Sequence, residues 1–136
     1  MIIYCNKNNN SITVNDLLQI SYNNKDKRYL VYNIYTSQVF CYKKSFKKAL
    51  KYCINFDDSE YKNILSEGHS KSLMLHKGND IDIEYKEDAN IFIVGKYIIF
   101  KSRTPKTYST YNRSDINCRN LYIGDFYNCF MWCLKN

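Results

Sequence analysis

Proline and glycine are nearly missing from this chain, whose 136 residues include one Pro and four Gly. That scarcity excludes a collagen-like or linker-dominated protein, and hydrophobic residues at 45% with aromatics at 16% exclude a disordered one. Long apolar runs are missing as well. Stretches such as Tyr97–Phe100 and Phe130–Cys133 fall far short of the roughly 20 residues that carry a helix across a bilayer, so no membrane insertion is expected. The first ten residues have no basic n-region, no sustained apolar segment and no small-residue cleavage site, which reads as the lack of an export signal. An intracellular setting, cytoplasm or nucleus, is the expectation. There Cys5, Cys41, Cys53, Cys118, Cys129 and Cys133 are reduced thiols and not a disulfide framework.

The usual chemical signatures are also wanting. No G-x-x-x-x-G-K, G-x-G-x-x-G or G-x-S-x-G occurs, so nucleotide-fold and α/β-hydrolase readings have no support. No C-x2-C pair is present. A zinc-binding module or a Cys/His-dependent enzyme would need Cys129 and Cys133 to converge with His69 and His76, and no spacing demands it. Beside Phe130 and Trp132, the two cysteines read as small apolar core residues. Asp82 and Glu84 alternate with Ile81, Ile83 and Tyr85, a pattern that aims the acids at water. No catalytic residue, metal ligand or cofactor is therefore assigned.

What is present is a chain of single-domain length, residues 1–136, able to bury a core without staples. Its patterning predicts an α+β fold, one mostly antiparallel sheet with two or three short helices. Arg28–Tyr35 and Gln38–Tyr42 are rich in β-branched and aromatic residues and flank Thr36-Ser37, the pattern of a hairpin. Ser45 caps a helix in which Phe46, Ala49, Leu50, Cys53 and Ile54 share one face, with Phe46, Leu50 and Ile54 expected to pack on the sheet. A second helix is signalled from Asp57, with Gly68 as its stop. Strands follow at Ile81–Tyr85 and on both sides of Gly95-Lys96. Met1–Cys5 reads as a strand, Thr13–Ile20 as a short helix or a strand starting at Ile12, and Leu121–Leu134 as a buried segment broken at Gly124-Asp125. No internal repeat is visible.

Charge runs in blocks. Residues 1–56 hold nine Lys/Arg against two acids, residues 57–90 four against nine, and residues 91–136 seven against two. Lys43, Lys44, Lys47, Lys48 and Lys51 occupy the side of the first helix opposite its apolar stripe, where ammonium groups would meet phosphates. In the carboxy-terminal block Lys101, Arg103, Lys106, Arg113 and Arg119 are interleaved with Tyr108 and Tyr111, cations and rings of the kind that single-strand binders use. A solvated lysine face and buried tyrosines explain the same residues without a ligand. The expectation is a small non-enzymatic interaction or accessory protein that docks on a protein or nucleoprotein partner through this basic and aromatic surface. Direct DNA or RNA binding is the alternative. Asn, Lys, Ile, Tyr and Phe make up about half of the chain, all with AT-rich codons, which fits an AT-rich genome such as that of a virus, a phage or an organelle.

Overall fold

The structure, a computed structural model, describes residues 1–6, 11–57, 59 and 79–136. These fall into two compact units, Met1–Asp80 and Ile81–Asn136. Unit 1 is an antiparallel meander of β1 (Ile2–Asn6), β2 (Ser11–Val14), β3 (Leu18–Asn23), β4 (Arg28–Asn33) and β5 (Val39–Lys43), followed by α1 (Phe46–Ile54). A two-residue strand, β6 (Asn79–Asp80), pairs with the outer edge of β1, giving the order β5-β4-β3-β2-β1-β6. In unit 2 the meander is β7 (Ile83–Lys86), β8 (Ile91–Val94), β9 (Tyr97–Lys101), β10 (Tyr108–Asn112) and β11 (Tyr122–Gly124), and α2 (Phe126–Lys135) follows it. The class is α+β, mostly antiparallel sheet, built as two sheets where the sequence suggested one.

Each helix exists because one sheet face must be covered and four apolar residues recur at helical spacing. Ser45 Oγ accepts the Lys48 N–H (3.2 Å) and starts α1, which buries Phe46, Ala49, Leu50 and Cys53. Ile54, expected in that stripe, is only half-buried. Eight positions on from Phe46 it has rotated roughly 80° past the centre of the face. In α2 the Asp125 carboxylate accepts the Asn128 N–H (2.7 Å), and Phe126, Cys129, Phe130 and Cys133 are buried. Gly124-Asp125 is thus the break between strand and helix. Residues 13–20 form strand, turn and strand, which corrects the helical option. There Asn15 and Asp16, at φ 54° and 53°, turn the chain, and Val14, Leu18 and Ile20 all point to the buried face. The helix expected from Asp57 to Gly68 lies almost wholly outside the described residues.

The two units repeat one plan down to the register. Val14 opposite Leu18 and Ile12 opposite Ile20 in unit 1 correspond to Val94 opposite Tyr97 and Phe92 opposite Ile99 in unit 2. The β3–β4 turn, residues 24–27, and the β9–β10 turn, residues 103–106, each end on a lysine in the left-handed region, Lys27 at φ 52° and Lys106 at 58°. Tyr29, Tyr32 and Asn33 on β4 match Tyr108, Tyr111 and Asn112 on β10, and both asparagines end their strand by accepting a following N–H on the side-chain oxygen. The helical stripes match as well: Phe46, Ala49, Leu50 and Cys53 stand where α2 has Phe126, Cys129, Phe130 and Cys133.

Among the described residues no helix is long and apolar enough to cross a membrane. Leu50 is 0% exposed, so Leu50→Ala is expected to cost about 2 to 5 kcal/mol and Phe130→Ala about 3 to 5 kcal/mol in urea unfolding. Ile54→Ala, at the edge of the stripe, is expected to cost roughly 1 kcal/mol. Equal losses at Leu50 and Ile54 would show that the buried face of α1 is wrongly assigned.

Candidate functional site

The lysines before and along α1 are positioned by two neighbouring elements. Lys43 ends β5 and reaches back over the helix, its Nζ 5.8 Å from the centre of the Tyr52 ring. Lys44 and Lys48 are exposed, and Lys47 and Lys51 are half-buried. Lys43, Lys48 and Lys51 line an open cleft of about 470 Å³ together with Tyr52, Asn55, Phe56 and Asp57. Lys44 and Lys47 stand one helical turn before Lys48 and Lys51, so the five ammonium groups extend along one side of the helix. Tyr52 packs on Phe56 (5.9 Å) and Phe56 on Phe40 (5.0 Å), which fixes the rings that form the apolar part of the cleft. Asp57 accepts the Ser59 N–H (3.0 Å).

Electrostatics at the start of α1 run against folding, whereas Lys51 in its last turn is well placed for the helix dipole. The first turn carries no acid, while Lys47 and Lys48 sit in that turn and Lys43 and Lys44 just before it, at the positive end of the helix dipole. The like charges also repel one another at i, i+4. Unit 2 shows that the architecture does not need them, because Lys47, Lys48 and Lys51 are replaced there by Tyr127, Asn128 and Met131.

The carboxy-terminal block is divided between the two ends of β10. Arg103 and Lys106 lie on the β9–β10 turn with Lys101 at its base, opposite Tyr108. Arg113 and Arg119 lie beyond the other end of the strand, roughly 20 Å along it from Lys106. Tyr108 faces α2 and packs edge-on against Phe126 (5.4 Å), whereas Tyr111 packs edge-on against Phe100 (5.4 Å) on the opposite face. These residues do not form one surface. Sequence reasoning passed over Tyr52, Asn55 and Phe56, although Tyr52 lies four residues after Lys48 and Phe56 four after Tyr52.

The thiols occupy a different environment. Cys53, Cys129 and Cys133 are buried, and burial pushes Cys53 and Cys133 up to about 12 and Cys129 to about 11 from an ordinary 9.0. Cys129 Sγ lies 3.5 Å from the Tyr108 carbonyl and 3.7 Å from that of Gly124. Among the described residues no three His, Cys, Asp or Glu side chains converge as a metal site, and His69 and His76 lie outside those residues. The buried thiols are expected to react slowly with a thiol reagent in the native state and fully after unfolding, with exposed Cys118 as the fast internal control. Folding holds their protons more tightly than the unfolded chain does. The stabilisation is complete below pH 9 and is lost as pH rises toward 11 to 12, so the urea midpoint should fall over that window. Rapid native labelling of Cys129 or Cys133 would show that the α2 stripe is not core.

Compared with protein families, curated proteins and solved structures, the chain matches none.

Proposed function

We propose that this protein is a non-enzymatic docking module that attaches to a nucleoprotein through the basic, ring-lined cleft on unit 1. Lys43, Lys48 and Lys51 supply charge to a polyanion, Lys44 and Lys47 extend that charge along the helix, and Tyr52 and Phe56 offer ring surface beside it. The observation that carries this reading is the contrast between the two units. A core stripe kept at matching positions, beside an outer face that is lysine in one helix and Tyr, Asn and Met in the other, marks the lysines as a surface feature rather than a folding requirement. Cys53, Cys129 and Cys133, buried and held as neutral thiols, are poor nucleophiles, which supports a non-enzymatic role.

Direct binding of single-stranded DNA or RNA is a second reading, favoured by the rings that adjoin the cations. It draws on unit 1 alone, because the basic residues of unit 2 are split between opposite ends of β10.

Replacing Lys44, Lys47, Lys48 and Lys51 together with Ser removes four cations without touching the buried stripe. The variant is expected to bind a single-stranded oligonucleotide at least tenfold more weakly at low salt. The slope of log affinity against log salt should flatten, since each lost phosphate contact removes about 0.7 from it. Wild-type protein that shifts neither single- nor double-stranded nucleic acid at low salt would rule out the nucleic-acid part of the reading. An unchanged slope in the variant would move the site away from α1.

A further inference from the structure

The largest departure from the shared plan lies in the connection before the last strand. In unit 1 the β4–β5 connection is residues 34–38, five residues, and in unit 2 the β10–β11 connection is residues 113–121, nine residues. The longer loop is braced. Asp115 accepts the Asn117 N–H (3.0 Å) on one carboxylate oxygen, and the Arg119 N–H (3.2 Å) and Nε (3.1 Å) on the other. Those bonds to Arg119 and the backbone hold the Asp115 carboxyl below its usual range. At the two ends of the loop, Arg113 N–H donates to the Lys96 carbonyl (2.9 Å) and Leu121 N–H to that of Thr110 (2.9 Å).

What the brace presents is apolar. Ile116, near the middle of the loop, is 96% exposed, and Leu121 and Ile123 on its return are 48% and 58% exposed. Leu121 also lines a cleft of about 680 Å³, together with Asn112, Ser114, Asp115, Arg119 and Asn120. Asp115 is already bonded on both oxygens, while the Arg119 side chain is 78% exposed and bonded to it through Nε. The cleft thus carries one ion pair whose exposed member is the Arg119 guanidinium, with the side chains of Asn112, Asn120 and Leu121 on its walls.

We propose that loop 113–121 and its cleft dock an extended acidic segment of a partner protein, with a carboxylate on Arg119 and apolar side chains against Ile116, Leu121 and Ile123. Three features favour this occupant. Arg119, bonded to Asp115 through Nε, has its Nη groups for a second carboxylate, the Asn112 amide nitrogen and the Asn120 amide suit a peptide backbone, and a preorganised loop loses little entropy on binding. The site is separate from the lysine cleft of α1, so one chain would hold a polyanion through unit 1 and a protein segment through unit 2.

The test pans phage-displayed random dodecapeptides against the intact protein and counter-selects on the variant Ile116→Asp, Leu121→Ser, Ile123→Ser. Enriched peptides are expected to combine Asp or Glu with large apolar residues and to bind the variant at least tenfold more weakly. Because all three positions are exposed, the variant should keep the wild-type circular dichroism and melting temperature. If it does not, Ile116→Asp alone serves for the counter-selection. Peptides that bind both proteins equally, enrichment of basic sequences, or no enrichment at all would overturn the proposal. Ile116-dependent capture on phosphatidylcholine–phosphatidylserine vesicles, without peptide binding, would assign the loop to a membrane surface instead. The lysine variant of α1 should bind the selected peptides as wild type does, which separates this result from the fate of the polyanion site.

Discussion

A four-residue stripe on a nine- or ten-residue helix, laid on one face of a five-stranded meander, is the burial on which each unit depends. Helices this short are marginal alone, so packing and not propensity must hold them. The stripe presents residues of unequal size: Phe at the first position, Ala or Cys at the fourth, Leu or Phe at the fifth and Cys at the eighth. The large fifth residue is fully buried in both helices, and so are sheet positions that also match, Val14 and Ile20 in one unit and Val94 and Ile99 in the other. Val31 and Thr110, likewise fully buried and matched by register, differ in chemistry but are close in shape. Thr110 satisfies its hydroxyl on the Tyr122 carbonyl (3.4 Å), which lets a polar side chain stand in the core.

Once that stripe and its facing positions are satisfied, the remaining helix positions are open to other uses. On the proposed reading unit 1 spends them on cations and accepts repulsion at the positive end of α1. Unit 2 carries Tyr127, Met131 and Trp132 instead, and Trp132 packs against Tyr97 (4.9 Å) and Tyr122 (6.0 Å). Its stripe is thereby widened with aromatic contacts, and a different part of the unit, the β10–β11 loop, is elaborated.

Local periodicity made much of this fold legible. Ser45 with Phe46, Ala49, Leu50 and Cys53 named a helix and its buried face, Gly95-Lys96 between two apolar runs named a hairpin, and Gly124-Asp125 named a break. Pairings set by distant contacts were not legible, among them the two-residue β6 on β1. The repeat was hidden for a physical reason. Matched positions conserve burial and backbone conformation rather than identity, so Ile12 answers to Phe92 and Ala49 to Cys129, and the turn after Val14 is one residue longer than the turn after Val94. The lysine face could be read from spacing, but the cleft could not. Its rings come from the end of α1 and are fixed by Phe40 on β5, across a contact that no single periodic segment contains.

Loop length shows why the two units can differ outside the core at small expense. Lengthening a connection from five residues to nine adds about 0.5 kcal/mol of closure entropy. The bonds that Asp115 accepts hold the longer loop in one arrangement. Such a loop changes neither the register of β10 with β9 nor the stripe of α2. Ile116 in turn costs the fold little, because an exposed isoleucine in the native state is exposed in the unfolded chain as well, and its burial would be gained only on contact with a partner. The stability of each unit therefore rests on the face that the helix covers, and the surface outside that face is left to vary.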